Sequence, residues 1–413
     1  MKMKNDRIRI GGMLGLAIFT LSITSVYAET PDAEEMWKII QQQQKIIEQL
    51  QQKLEQTNQK VEVAEQKVEE TAQEVEAAAD AIETASNSTG NGWWEKTSLG
   101  GYGELHYNSK DGDDSVDFHR YVLYVGHEFT DRVRFFSEFE LEHSLAGEGK
   151  PGEVELEQAW LEIDLNDNHR LRAGLDILPI GILNPTHEPD TFYGVERNRV
   201  ESEIIPATWW EAGIGFNGEL APGWNYDVRV HSGLEVPTSS GRIRSGRQKV
   251  ASATADNAAA TGNLRYTGIP GLELATSLQY QSDITEGSNA PTNEATLLSF
   301  HGDYKHRSGF GLRALYARWD IDNVMEAGTE DDEQDGFYIE PSYRFPISFG
   351  DVGIFGRYQQ LDLANDREEQ SYVAGIQWWP VNQVVFKFDY EDREDEDANT
   401  SQNIYSLGMG FSF

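Results

Sequence analysis

The chain has 413 residues and no cysteine, which excludes a disulfide framework and any thiolate metal site. Asp and Glu number 70 against 34 Lys and Arg, a formal net charge of −36 that argues against nucleic acid as a partner. With 38% hydrophobic and 25% charged residues the chain is too polar for a bundle of membrane helices, but not for a β-barrel, whose strands are only half apolar.

The first 28 residues, "MKMKNDRIRIGGMLGLAIFTLSITSVYA", combine a basic start, an apolar run from Ile10, and small residues before Ala28. This pattern predicts a signal peptide, 1–28, cut after Ala28. An uncleaved anchor helix is the competing reading, although the run is marginal for the roughly 20 residues a span requires. Cleavage removes four cations and one acid, taking the net charge from −36 to −39.

Residues 29–85 turn rich in Gln, Glu, Lys and Ala, and one period dominates. Ile40, Ile47, Leu54, Val61, Val68, Val75 and Ile82 recur every seventh residue, with Gln43, Leu50, Thr57, Ala64, Thr71, Ala78 and Ala85 at the companion positions. The heptad predicts a left-handed α-helical coiled-coil stalk, roughly 70 to 75 Å long at 1.5 Å per residue. Its seam does not choose between two and three chains, and a solvated Gln/Glu-rich linker is the alternative. "SNSTGNG" then breaks the helix, and 86–96 reads as a linker.

From 97 to 413 the period becomes two. In "VRFFSEFEL", Val133, Phe135, Phe139 and Leu141 alternate with Arg134, Phe136, Glu138 and Glu140; in "VVFKFDY", Val384, Phe386, Phe388 and Tyr390 alternate with Lys387 and Asp389. About sixteen such segments predict an all-β, 16-stranded antiparallel transmembrane β-barrel. Short connections (130–131, 166–168, 218–223, 267–271, 306–309, 345–351, 380–383) alternate with long ones (108–117, 143–153, 178–208, 233–261, 281–294, 320–336, 361–370, 391–403). That sorting predicts a short-turned periplasmic rim and a long-looped outer rim. Trp93, Trp94, Trp224, Trp378 and Trp379 flank the short-turned rim, as an interfacial girdle would.

Three stretches, "FHRYVLYVGHEFTDRVRFFSEFELEH", "ELEQAWLEIDL" and "HEPDTFYGVERNRVESEIIPATWWE", resemble the phosphate-selective porin O and P superfamily, and the likeness runs over essentially 97–413. The alternating end, Tyr405, Leu407, Met409, Phe411 and Phe413, resembles the strand that the barrel assembly machinery recognises. The resemblance implies an outer-membrane homotrimer of 16-stranded barrels, each with its third loop folded inward, and a periplasmic amino-terminal coiled coil.

The third and fourth long loops are the longest and the least acidic. The fourth holds Arg242, Arg244, Arg247 and Lys249 in "GRIRSGRQKV"; the third holds Arg197 and Arg199. These six are the candidate pore-constriction residues. Folded inward, their guanidinium forks would contact phosphate or carboxylate groups. At the rim they would contact lipopolysaccharide phosphates, and beside the acidic loops they would form surface ion pairs worth little individually. Alternation also turns Arg120, Arg134, Arg172, Arg229, Arg265, Arg313, Arg357 and Lys387 toward the lumen, among Glu138, Glu140, Asp176, Glu273 and Asp389. The lysine-rich channel pattern of the phosphate-selective relatives is not evident, so phosphate selectivity is not carried over.

No HExxH, GxSxG or GxxxxGK[ST] occurs, so no enzyme activity, cofactor or dedicated metal site is expected. The reading is a porin: a water-filled channel for passive diffusion of small hydrophilic solutes, with anions (phosphate or carboxylates) favoured. Its expected partners are outer-membrane lipid, lipopolysaccharide and the barrel assembly machinery. The alternative is a structural protein whose stalk tethers the outer membrane to peptidoglycan.

Overall fold

The alternating segments pair edge to edge until the first strand meets the last, closing a barrel of sixteen antiparallel strands. In this computed structural model the described residues are 92–413, apart from 288–292, 323–332, 365–366 and 396–399, together with the helical Trp37, Gln41, Gln44 and Lys45. The signal peptide, the whole heptad seam from Ile40 to Ala85, and residues 86–91 of the linker lie outside them. The strands are β1 (Thr97–Lys110), β2 (Asp113–Thr130), β3 (Val133–Glu142), β4 (Val154–Asp164), β5 (His169–Ile177), β6 (Trp210–Ala221), β7 (Trp224–His231) and β8 (Ala259–Ile269). Then follow β9 (Leu272–Gln281), β10 (Ala295–Lys305), β11 (Phe310–Ile321), β12 (Glu333–Pro346), β13 (Asp351–Leu363), β14 (Arg367–Val381), β15 (Val384–Asp395) and β16 (Thr400–Ser412).

Closure leaves no open edge, so every strand's backbone donors and acceptors find partners within the sheet, the condition for crossing a bilayer with strands. The outer face is apolar: Leu161, Ile214, Phe216, Phe300, Ile339, Ile354, Phe388 and Leu407 are 41–50% exposed. An apolar belt running around the whole cylinder belongs in lipid, not in water. Tyr405, Leu407 and Phe413 of the last strand lie on this face.

Three outer connections differ from the expectation. The segments 108–117, 361–370 and 391–403 are mostly strand, so β1 and β2 are joined only by 111–112. Their acidic residues continue the hydrogen-bonded ladder past the apolar belt, where both faces meet water and alternation carries no signal. Trp93, Trp94 and Trp224 are exposed as a girdle requires, but Trp379 is buried, with the Arg344 guanidinium 4.2 Å from its ring centre. Adjacent residues on a strand point to opposite faces, so Trp378 and Trp379 cannot share the girdle.

The interior is not uniformly polar. The β5–β6 loop (178–209) enters the barrel and packs Leu178, Ile180, Leu183, Ile204, Ile205 and Trp209 against Leu297, Leu315, Trp319, Ile321, Tyr338 and Leu361 of β10 to β13. The β7–β8 loop (232–258) adds Leu234, Val236 and Ile243 to the same core. Gly408 and Gly410 face inward where the inner loop lies against β16; a Cβ on Gly410 would come 2.5 Å from Pro189.

Because the inner loop is mostly non-helical, its buried backbone groups need partners from elsewhere. Asn184 closes its base, donating to the carbonyls of Leu178 (2.8 Å) and Trp209 (3.1 Å) and accepting from Trp209 N–H (2.6 Å). Buried Glu201 accepts from the N–H groups of Ile182 and Leu183 (2.5 and 2.6 Å), from Asn198 Nδ2 (3.1 Å) and from Tyr338 Oη (2.8 Å). The wall supplies the rest through charged side chains. Arg120 donates to His187 O (2.6 Å), Arg313 to Thr191 O (2.9 Å), Arg357 to Tyr193 O (2.8 Å), and Lys387 to Phe192 O (3.1 Å) and Gly194 O (2.8 Å).

Replacing Asn184 by Ala strands the buried Trp209 N–H, at about 1–3 kcal/mol, and takes one of two donors from each of the Leu178 and Trp209 carbonyls. Asn184→Ala should therefore leave the heat-modifiable gel migration of the barrel intact while making 178–209 sensitive to protease. Lys387→Met, which removes the donor for two loop carbonyls, should raise the open-channel current noise at unchanged expression.

Candidate functional site

The expected lumen residues do face inward, but almost none carries a free charge. Arg134 pairs with Glu162 (2.9 Å) and Asp164 (2.5 Å), and Arg172 with Glu162 (2.6 Å) and Asp176 (2.9 Å). Arg229 pairs with Asp227 (2.7 Å) and Asp176 (2.8 Å), Arg313 with Asp303 (3.2 Å), and Arg357 with Glu340 (2.5 Å). Arg120 meets Glu104 at 2.5 Å and lies 4.0 Å from Glu140. Arg265 is the loosest, 4.0 Å from Glu273. Glu138 accepts from Gln158 (2.5 Å) and contacts His187 (3.3 Å), and Asp389 accepts from Val195 N–H (2.6 Å). These groups hold the wall and the inner loop together.

The six loop cations divide into two sets. Arg199 is held by Glu203 (2.8 Å) and Glu369 (2.7 Å), Arg242 by Glu203 (2.9 Å), and Lys249 by Glu153 (2.6 Å) and Glu155. Arg197, Arg244 and Arg247 lie within 4.0 Å of no carboxylate oxygen among the described residues. Arg244 donates only to the carbonyls of Ser202 (2.8 Å) and Ala207 (2.6 Å), and Arg247 to that of Thr208 (2.5 Å). Arg247 Nε is buried without a hydrogen-bond partner. Sequence reading grouped Arg242 to Lys249 as one cluster; a 3-10 turn at Ile243–Gly246 instead turns its members to different surroundings.

The three half-buried guanidinium groups sense one another. Burial, then the charges of Arg247 and Arg197, push Arg244 down to about 9, and burial followed by Arg197 lowers Arg247. Burial and then Arg120 lower Arg197. Burial, with like charges nearby and no carboxylate within 4.0 Å among the described residues, marks an incompletely neutralised cationic wall, a place where an anion would be stabilised.

Facing it, β3 and β4 carry Glu138, Glu140, Glu142, Glu155 and Glu157. The acid spacing of two along β3 was legible; the β-bulge in the β3–β4 pairing, between Glu138 and Phe139, was not. Glu201 and Asn184 were also missed as anchors, since a buried carboxylate in a loop leaves no periodic trace. Below the inner loop, toward the rim of short turns, lies a chamber of about 1220 Å³. Its cations are mostly paired, as Lys305 is with Asp303 (3.1 Å) and Arg344 with Asp351 (2.8 Å).

A closed lumen-bearing barrel with a loop folded across it is a channel architecture, and comparison with known proteins agrees. An uncharacterized protein of Aquifex aeolicus (strain VF5) is 29% identical over 360 residues, 76% of this chain and 80% of its own. The anion-selective porin from Comamonas acidovorans superposes with a TM-score of 0.56 at 10% identity, covering 77% of this chain and 99% of that one. The trimer form of OmpT, an outer-membrane protein of Vibrio cholerae, gives 0.50 at 11% identity over 77% and 99%. At such identities the two structures share the fold alone. The family model "Phosphate-selective porin O and P" matches residues 97–413, the whole barrel, and the chain therefore belongs to that family of outer-membrane channels.

Proposed function

We propose that this outer-membrane channel passes small hydrophilic solutes by passive diffusion with a preference for anions, carboxylates or phosphates. The observation that carries the proposal is the set of three guanidinium groups, Arg197, Arg244 and Arg247, with no carboxylate within 4.0 Å among the described residues, Arg244 and Arg247 being held by carbonyls alone. Charges at the narrowest part of a pore control its selectivity, and an arginine fork with an open edge can accept a carboxylate or phosphate bidentately. Acids of the outer rim farther than about 8 Å from the constriction are screened at physiological salt. The likeness to a porin described as anion-selective supports the same sign.

The working unit is a homotrimer, a reading supported by the likeness to OmpT in its trimer form. Each chain loses its signal peptide, 1–28, and extends the 29–85 coiled coil into the periplasm, with 86–96 as the linker to the barrel. The heptad of Ile40 to Ile82 supports an association that the barrel and the stalk make together.

Planar-bilayer recordings under a KCl gradient test the charge preference. The wild type should reverse at a potential of the anion-selective sign, and Arg197→Gln with Arg247→Gln should move that potential toward or past zero. Lys249→Gln and Arg242→Gln, whose cations are already neutralised by glutamates, should shift it far less. An unchanged reversal potential in the Arg197, Arg244, Arg247 triple Gln variant would refute the anion preference. Current steps arriving in threes are expected of the trimer, and single steps only would count against it.

A further inference from the structure

At the long-looped end of the barrel, away from the arginines, three potential ligands converge on one point. Asp117 and His119 are two residues apart on β2, and His143 lies just beyond β3. Asp117 Oδ2 is 2.7 Å from His143 Nδ1 and 3.3 Å from His119 Nδ1, and the three potential ligand atoms all lie within 4.8 Å of one another.

Two local features build this arrangement. The β1–β2 pairing shifts between Glu104 and His106, where β2 carries one extra residue, and the bulge brings His119 over the inward-facing His106, ring centres 4.8 Å apart and nearly parallel. His143 adopts the left-handed conformation at φ 51°, and its N–H donates to His119 O at 3.0 Å. Backbone geometry therefore holds both imidazoles on the same side of Asp117. A left-handed, non-glycine residue persists where surrounding contacts fix it.

We propose that Asp117, His119 and His143 bind a divalent transition-metal ion of the zinc class. Two imidazole nitrogens and one carboxylate suit Zn²⁺, Ni²⁺ or Cu²⁺, whereas Ca²⁺ and Mg²⁺ want oxygen ligands throughout. Tetrahedral zinc with bonds of about 2.0–2.2 Å sets its ligand atoms roughly 3.3 Å apart. The Asp117–His119 separation already matches that value, the 2.7 Å Asp117–His143 contact has to open by about half an ångström, and the two imidazoles lie within 4.8 Å of each other, so side-chain rotations bring the set onto one ion. About a third of each side chain is exposed, so an ion can enter and water can complete its coordination. The His106 ring stacks on that of His119 and is itself held by Glu104 (3.2 Å) and by Glu196 of the inner loop (2.9 Å). A bound ion would tie β2 to the β3–β4 connection.

The test is a calorimetric titration of ZnCl₂ into the tag-free barrel folded in detergent micelles, with CoCl₂ as a spectroscopic probe of geometry. One saturable site per chain is expected, with the visible absorption of low-coordinate cobalt. The His119→Ala, His143→Ala double variant should lose the site while keeping its heat-modifiable migration. If the double variant does not fold, Asp117→Asn decides in its place. Equal zinc affinity in wild type and ligand variants, or no saturable binding to the wild type, would overturn the assignment. Because the readout is equilibrium binding, neither result depends on the channel's ion selectivity.

Discussion

A stretch of irregular backbone cannot stand unpaired inside a cylinder that crosses lipid. Everything about the interior of this protein follows from how the 178–209 segment meets that constraint. Its carbonyls are taken up by Arg120, Arg313, Arg357 and Lys387 of the wall, and its amides by Glu201 and Asp389. Its apolar side chains fill one side of the lumen against β10 to β13. Charges that would otherwise line an open pore are thereby consumed in structure. Besides Lys387, which is spent on loop carbonyls, the inward cations left without carboxylates among the described residues are Arg197, Arg244 and Arg247 of the loops.

That division explains why a mixed-charge lumen need not be electrically indifferent. An ion pair such as Arg357 with Glu340 is close and buried, so it contributes a short-range dipole and little net field to a passing solute. Arg197, Arg244 and Arg247 have no such partner among the described residues, so their charge is not cancelled at short range and contributes a field to the passage. Opposite them the carboxylates of β3 and β4 give the passage a charged wall of the other sign.

The barrel was readable because the outward face must be apolar wherever lipid touches it, and period-two alternation then betrays each strand. Inward orientation of Arg120, Arg134, Arg172, Arg229, Arg313, Arg357 and Lys387 followed from the same rule. The rule failed where its premise fails. Past the membrane both faces are wet, so 108–117 and 391–403 looked like loops although they are largely strand. In "RALYARWDI" the phase inverts: Leu315, Ala317, Trp319 and Ile321 point inward while Arg318 and Asp320 point out. Inversion of that kind is the sequence trace of a dry, loop-filled lumen. The long-range pairing of individual cations was beyond reach, because Arg199 meets Glu369, Arg242 meets Glu203 and Lys249 meets Glu153 only once the chain has folded.

The manner in which the wall grips the inner loop has an evolutionary corollary. Arg313 and Arg357 hold the carbonyl oxygens of Thr191 and Tyr193, atoms that every residue type possesses, whereas Lys387 adds a contact with the Phe192 ring, 3.9 Å from its centre, to its bonds with the Phe192 and Gly194 carbonyls. Mutation can therefore exchange residues that the loop shows to passing solutes without unfastening it. Descendants of one ancestral barrel can diversify their diet of permeants while inheriting the same scaffold.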